Sequence, residues 1–272
     1  MSDRPRIKGD LGTRFLSALA LGPAVLAVAY VGGLPFRALV LVFAALAVRE
    51  WVRLVEPEQP SPWVGVSLAA VAGLQLIDML LGPGTMALAS MLGGVALGLA
   101  AAKAGSRHAG LVGFGIPYIA IGSGALMWVR DEPAIGFGLC WFLLLSVWAT
   151  DVGGYAVGRT VGGPKLWPRV SPKKTWSGLL GGMAGAALFG AGTAAVFDGR
   201  IGIAAAVAAV LAVIAQGGDL FESAVKRHFD VKDSGNLIPG HGGLLDRVDG
   251  LLAAGPALFV FHVLFGRWLG WW

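Results

Sequence analysis

The sequence predicts an all-α, polytopic integral membrane protein with about nine transmembrane helices, and three observations predict it. Of 272 residues, 56% are hydrophobic and 14% are charged, where a soluble globular chain carries about 25% charged residues. So few charges cannot cover the surface of a chain this size, and most of that surface must face something other than water. Nine stretches are nearly free of charge and about 20 residues long, enough to cross about 30 Å of hydrocarbon as helix. Finally, Lys and Arg fall overwhelmingly into alternate connections, as the positive-inside rule requires of a multi-pass protein. Disorder is excluded by the apolar content, collagen by the lack of a Gly-X-Y period, and a disulfide scaffold by the single cysteine. Cys140, within an apolar run, reads as a small packing residue. A net charge of +5 would suggest nucleic acid in a soluble domain; here the membrane has first claim on it, and no nucleic-acid partner is expected.

In chain order, the apolar runs lie near 12–31, 35–54, 63–82, 85–102, 112–129, 135–158, 178–197, 200–217 and 251–269. Gly32-Gly33-Leu34-Pro35, Glu56-Pro57-Glu58-Gln59-Pro60, Gly82-Pro83-Gly84, Asp131-Glu132-Pro133 and Asp198-Gly199-Arg200 break them, each a turn signal. The first run follows a charged lead-in, Met1 to Arg14, and is too long for a typical signal-peptide core. With the N-terminus inside, 17 of the 21 Lys and Arg residues are cytoplasmic, and Arg37, Arg130, Arg200 and Arg267 lie outside. That predicts N-in, C-out with nine spans. The 43 glycines include Gly94/Gly98, Gly154/Gly158 and Gly178/Gly182 at the spacing of close helix contacts in lipid. The whole chain, 1–272, reads as one membrane domain. Its N-terminal helices cover 1–110, and the chemistry belongs to 111–272 with the loops 159–177 and 219–250.

The segment from Asp219 to Gly250 holds ten charged residues in 32 positions. Asp219, Glu222, Ser223 and Lys226 fall at i, i+3, i+4 and i+7, one face of a helix. Such a face can hold a cation and an anionic substrate side by side, or it can be a set of intrahelical ion pairs. Then comes Gly235-Asn236-Leu237-Ile238-Pro239-Gly240-His241-Gly242-Gly243, a glycine-rich turn opening into a helix start with Asp246 and Asp249 at i, i+3. Exposed backbone N–H groups in such a turn can cradle phosphate oxygens. Carboxylates gathered with Lys and Arg around it suit Mg²⁺-dependent phosphoryl or nucleotidyl transfer, which needs hard oxygen ligands and fixed cations. His241 either satisfies the turn or touches substrate.

The second polar connection, Arg159 to Trp176, contains Lys165, Arg169 and Ser171-Pro172-Lys173-Lys174-Thr175. It reads as positive-inside anchoring or as a phosphate clamp of hydroxyls and ammonium groups. Asp151 sits late in an otherwise uncharged span, where a carboxylate is costly and therefore a functional candidate. Gly153 to Thr160 resembles a P-loop but carries Arg159 where lysine belongs and continues a membrane helix instead of following a strand, so it is set aside.

These residues resemble a known signature. Ser223-x-x-Lys226-Arg227-x-x-x-x-Lys232-Asp233-Ser234-Gly235, then Pro239-Gly240-His241-Gly242-Gly243-x-x-Asp246-Arg247-x-Asp249, is similar to that of the phosphatidate cytidylyltransferases, or CDP-diacylglycerol synthases. Gln216-x-Gly218-Asp219-Leu220-x-Glu222-Ser223 and Ser171-Pro172-Lys173-Lys174-Thr175 are similar to family patterns as well. Two positions depart, Ser177 where Glu is expected and Gly250 where Ser is. The resemblance implies the reaction CTP + phosphatidate → CDP-diacylglycerol + pyrophosphate at the cytoplasmic face of the inner (plasma) membrane. It implies Asp219 and Asp246 as principal Mg²⁺ ligands, with Glu222 and Asp249 as further carboxylates. Lys226, Arg247, Arg227, Lys232, Lys173 and Lys174 become phosphate contacts, with Ser171, Thr175, Ser223, Gly242, Gly243, His241 and Asp151 completing the substrate site. A second, monovalent cation and a homodimer are left open.

Four alternatives compete. An anion transporter would place charges near the midplane of both halves, whereas these concentrate at cytoplasmic helix ends late in the chain. A CTP-dependent lipid kinase is the nearer rival. The CDP-alcohol phosphotransferases carry Asp-Gly-x-x-Ala-Arg, which is absent, as is the His-x-Gly-His of soluble cytidylyltransferases.

Overall fold

Glycine and proline set the helix ends from the start of the described chain. In the computed structural model, which describes residues 22–58, 60–238 and 242–272, α1 (Gly22–Val31) runs into Gly32 at φ 67°. Arg130 from a distant helix closes that end, donating from Nε to the Ala29 carbonyl at 2.7 Å and from Nη2 to the Tyr30 carbonyl at 3.0 Å. A side chain at position 32 would collide with its guanidinium. The cation thus satisfies two of the carbonyls a helix end leaves orphaned. Then follow α2 (Gly33–Val55), α3 (Pro60–Leu81), α4 (Pro83–Lys103), α5 (Ala109–Asp131) and α6 (Gly136–Thr160). Prolines at the first turns of α3 and α4 fit because those N–H groups have no intrahelical acceptor.

The connection after α6 departs from the sequence reading by forming structure of its own. Strands β1 (Lys165–Trp167) and β2 (Ser171–Thr175) pair antiparallel, Lys165 opposite Thr175 and Trp167 opposite Ser171. Pro168 occupies the second position of the turn, closed by Val170 N–H on the Trp167 carbonyl at 3.2 Å, a place its fixed φ suits. Helices α7 (Trp176–Val196), α8 (Ile201–His228) and α9 (Leu245–Phe261) follow, and a π-turn over His262–Gly266 and a short α10 (Arg267–Leu269) end the chain.

Seven helices among the described residues, α3 to α9 with α9 continued through the π-turn to Gly266, are long and apolar enough to cross a membrane. Helix α2 has the length but carries Arg37, Arg49, Glu50 and Arg53, and α1 is described over ten residues only. The expected nine are therefore not all met as apolar spans. The lead-in with Arg4, Arg6, Lys8 and Arg14 lies outside the described residues. Leu80, Leu88, Leu92, Leu180, Leu188 and Trp268 are exposed on the outer faces, apolar surface that hydrocarbon would cover.

Helix α8 differs most from its predicted span of 200–217. Its 28 residues extend about 42 Å, so the charged segment from Asp219 to His228 continues the helix. Where α6 meets α7, glycine faces glycine: a Cβ on Gly178 would lie 2.9 Å from the Gly154 carbonyl oxygen, and one on Gly182 the same from that of Thr150. Any side chain there would push the helices apart. Gly94 and Gly98 likewise admit α5 against α4. One apolar core joins α6 to α9 around Leu139, Phe142, Leu143, Leu211 and Leu258. A second joins α2 to α5 around Val48, Trp51 and Ile116, and takes in Val225, Leu245 and Val248 from α8 and α9.

Candidate active site at one end of the bundle

The C-terminal turns of α2, α6 and α8, the start of α9 and the β-hairpin meet at one end of the bundle, and the charged residues meet there with them. On α8, Ser223 Oγ donates to Asp219 at 3.1 Å, and Lys226 Nζ donates to Glu222 Oε1 at 3.0 Å. Lys226 also bonds Asp246 Oδ1 on α9. Glu222 is completely buried and Lys226 is 7% exposed. Burying one charge without its partner is strongly unfavourable, so this carboxylate, ammonium and carboxylate stand as a unit. The helical face read from the sequence is real, and its ion pairing is both intrahelical and interhelical.

Asp246 gathers more. Its Oδ2 accepts from Ser234 N–H at 3.0 Å and Gly243 N–H at 2.9 Å, with the Ser234 hydroxyl at 3.1 Å. Amides on either side of the glycine-rich segment, those of Ser234 and Gly243, thus bind a carboxylate of the same chain. Ile238 and Gly242 pair as an isolated bridge, with Gly242 at φ 85°. His241, Pro239 and Gly240 lie outside the described residues.

Glu50 on α2 is the residue that sequence reasoning missed. It is 5% exposed and accepts from Leu244 N–H at 3.0 Å and Leu245 N–H at 2.8 Å. The Ser234 hydroxyl lies 3.1 Å from Glu50 Oε2 as well, so its single proton serves one carboxylate or is shared. A carboxylate on the first amides of α9 satisfies orphan donors and meets the positive end of the helix dipole. The signal was available: a lone carboxylate within an apolar run, the criterion that singled out Asp151. Arg49 and Arg53 beside it give the same stretch a positive-inside reading that hides the carboxylate.

The hairpin supplies a second cluster. Lys174 Nζ stands 2.6 Å from Asp219 Oδ2, an ionic contact without hydrogen-bond geometry. Thr175 is buried and caps α7, its hydroxyl accepting from Gly178 N–H at 3.0 Å. Ser177 Oγ lies 3.0 Å from Thr175 Oγ1 and also bonds the Gly162 carbonyl, tying the hairpin's base together. Asp151 on α6 feels the charges of Asp219, Lys174 and Arg247. Asp249 accepts from Gly250 N–H at 2.7 Å and feels those of Asp219, Asp151 and Lys226. Gly250 fits between Val147 and Ala215.

The remaining predicted residues sit at the rim. Lys173, Lys232 and Arg247 are exposed and Ser171 is half-buried. Arg227 donates to the Val231 carbonyl at 2.7 Å, which fastens the loop after α8. The structure therefore brings Asp151, Lys174, Asp219, Glu222, Ser223, Lys226, Asp246 and Asp249 together and leaves exposed cations around them. Among the described residues, no three His, Cys, Asp or Glu side chains converge as a ready-made metal cage.

The chain is similar to known proteins over most of its length. A family model described as "Cytidylyltransferase family" matches residues 12–265. The phosphatidate cytidylyltransferase of Brucella suis biovar 1 (strain 1330) is 38% identical over 262 residues, covering 95% of each chain. That of Bacillus subtilis (strain 168) is 32% identical over 276 residues, covering 94% of this chain and 99% of its own. That of Staphylococcus saprophyticus is 41% identical over 150 residues, 54% of this chain and 56% of its own. Matched across nearly its whole length, and with the signature charges assembled at one end of a helical membrane bundle, this chain belongs to the cytidylyltransferase family.

Proposed function

We infer that the chain is a phosphatidate cytidylyltransferase, a nucleotidyltransferase of phospholipid synthesis that converts CTP and phosphatidate to CDP-diacylglycerol and pyrophosphate. The observation that carries this reading is the meeting of Lys174 from the hairpin with Asp219 of α8, beside the Lys226 that joins Glu222 of α8 to Asp246 of α9, at the end of an apolar helical bundle. A lipid substrate requires such a bundle, and two polyanions require cations held in place. Homology to relatives of that name supports the same reading.

In the reaction an oxygen of the phosphatidate phosphate attacks the α-phosphorus of CTP, the bond to the β-phosphate oxygen breaks, and the electron pair leaves with pyrophosphate. The attacking phosphate is already an anion at neutral pH, so the protein need not generate a nucleophile. Its work is to align the two substrates and to neutralise charge on the leaving group. Lys173, Arg247 and Lys232, exposed at the rim, are the phosphate contacts we propose, with Lys174 set by Asp219. Lys226, committed to Glu222 and Asp246, acts by fixing α8 against α9.

Mg²⁺ fits the donor set. The oxygens are hard, the five carboxylates of Asp151, Asp219, Glu222, Asp246 and Asp249 outnumber Lys174 and Lys226, and buried Glu222 Oε2 has no hydrogen-bond partner. No more than two of these carboxylates at a time, from Asp219, Asp246 and Asp249, would hold the ion, and nucleotide phosphates and water would complete its shell, as is usual for Mg²⁺. Both Asp246 oxygens already carry protein donors, and both Asp219 oxygens already meet Ser223 and Lys174, so the ion would compete with those partners at either residue. When bound, the ion would offset negative charge on the phosphates. Lys and Arg asymmetry supports a cytoplasmic site in the inner membrane.

The test is incubation of the purified protein in detergent with CTP labelled in the cytosine ring, phosphatidate and Mg²⁺. CDP-diacylglycerol and pyrophosphate are expected. Release of free CDP with a doubly phosphorylated lipid would instead establish a lipid kinase.

A further inference from the structure

Between α5 and α8 the bundle is closed by side chains alone. Both helices pack on α9, while the gap between them is bridged by rings: Phe114 and Tyr118, one turn apart on α5, meet Phe221 of α8 at centroid distances of 5.5 and 5.6 Å. Phe114 and Tyr118 stack at 5.9 Å with planes 18° apart, and Trp51 of α2 backs Tyr118 at 5.4 Å. The exposure is graded. Phe114 and Phe221 are 43% and 36% exposed, whereas Trp51 is buried and donates to the Leu111 carbonyl at 2.9 Å.

The inner end of this aromatic wall is polar and incomplete. The Tyr118 hydroxyl is buried with no hydrogen-bond partner, and so is Oε2 of the fully buried Glu222. The carboxylates of Glu222, Asp249 and Asp219 are near enough to act on that hydroxyl. Phenylalanine would stack equally well against Trp51 and Phe221, so packing does not account for the oxygen. Buried donors are ordinarily satisfied, and one left bare at the edge of a charged site calls for an acceptor that arrives. Coming from the bilayer along an apolar wall, that acceptor must be attached to something that partitions into lipid.

We propose that the lipid substrate slides in from the bilayer between α5 and α8 and that Tyr118 donates a hydrogen bond to its phosphate, with Phe114 and Phe221 flanking the glycerol and upper acyl chains. This rests on the phosphatidate cytidylyltransferase reading. The neutral phenol suits this place, because Lys174 and Lys226 are already held by carboxylates. A second apolar cleft, of about 710 Å³ and lined by Tyr30, Phe137, Trp141, Leu188 and Phe197, lies at the opposite ends of α6 and α7 and does not reach the charged cluster.

Two measurements test the proposal. In mixed micelles at saturating CTP, Tyr118→Phe should raise the apparent KM for phosphatidate about tenfold and leave the KM for CTP unchanged; Tyr30→Phe should alter neither. Separately, the wild-type protein without CTP should be photolabelled by phosphatidate carrying a diazirine in its acyl chain, on peptides 109–131 and 201–228, in competition with phosphatidate. Unchanged constants in Tyr118→Phe, or labelling concentrated on 137–145 and 188–197, would overturn the proposal. Competed labelling of α5 and α8 in a protein that forms no CDP-lipid would uphold the lipid site and sink the reaction assigned to it.

Discussion

Replacing Glu50 with glutamine keeps the shape of the side chain and removes its charge. In the structure this carboxylate receives the Leu244 and Leu245 amides at 3.0 and 2.8 Å and stands 3.1 Å from the Ser234 hydroxyl. Glutamine offers one acceptor oxygen, and its NH₂ must face a donor. The variant therefore keeps one good bond, loses one and sets two donors against each other. Charge-assisted bonds contribute about 1.5–3 kcal/mol each, and an unpaired buried donor costs about 1–3 kcal/mol. A total near 3 kcal/mol falls on Ser234 and the start of α9, which hold Asp246. Expressed in turnover, that is about a 100-fold fall in kcat/KM. The apolar cores on either side are untouched, so the thermal midpoint in detergent should move little, because the loss is a local opening. Steady-state turnover beside a melting curve checks this. Turnover within about threefold of wild type would show that the loop holds its shape without Glu50, since threefold corresponds to well under 1 kcal/mol.

Lys226→Met should destabilise the protein itself, because removing the cation strands two buried carboxylates at a cost of about 3–5 kcal/mol; an unchanged melting midpoint with normal turnover would contradict the buried triad, and exposed Arg53→Ala serves as control. Asp219→Asn and Asp249→Asn should each weaken Mn²⁺ binding, read by electron paramagnetic resonance, and lower Mg²⁺-dependent turnover about 100-fold; retained Mn²⁺ affinity in both would remove these residues from the metal site. Cysteine at position 165 or 232 in a Cys140→Ala background should resist an impermeant thiol reagent in intact cells while cysteine at 199 reacts, and the reverse pattern would invert the topology. Gly182→Val should separate α6 from α7, since a side chain there meets the Thr150 carbonyl; a correctly folded, active variant would show the close approach to be dispensable.

What the sequence by itself determined is what depends on composition and on neighbours along the chain. The solvent follows from 14% charged residues, and the spans from runs that must satisfy every backbone group in hydrocarbon. The reach of Asp219, Glu222, Ser223 and Lys226 along one face follows from 3.6 residues per turn. Glycine at four-residue spacing announced the contact of α6 with α7 without naming the partner surface. Tertiary structure decided which charges meet. Lys226 finds Asp246 across 20 residues, Lys174 finds Asp219 across 45, and Glu50 reaches Ser234, Leu244 and Leu245 across 184 to 195. No local pattern encodes such pairs, because each is set by how two helices lie side by side. The same holds for Tyr118: its sequence neighbours make it an ordinary aromatic of an apolar helix, and only the approach of α8 and α9 sets its hydroxyl before the carboxylates. The hairpin of β1 and β2 belongs with the tertiary decisions: the sequence offers its lysines as anchor or clamp, and the aspartate that Lys174 meets gives the hairpin its place.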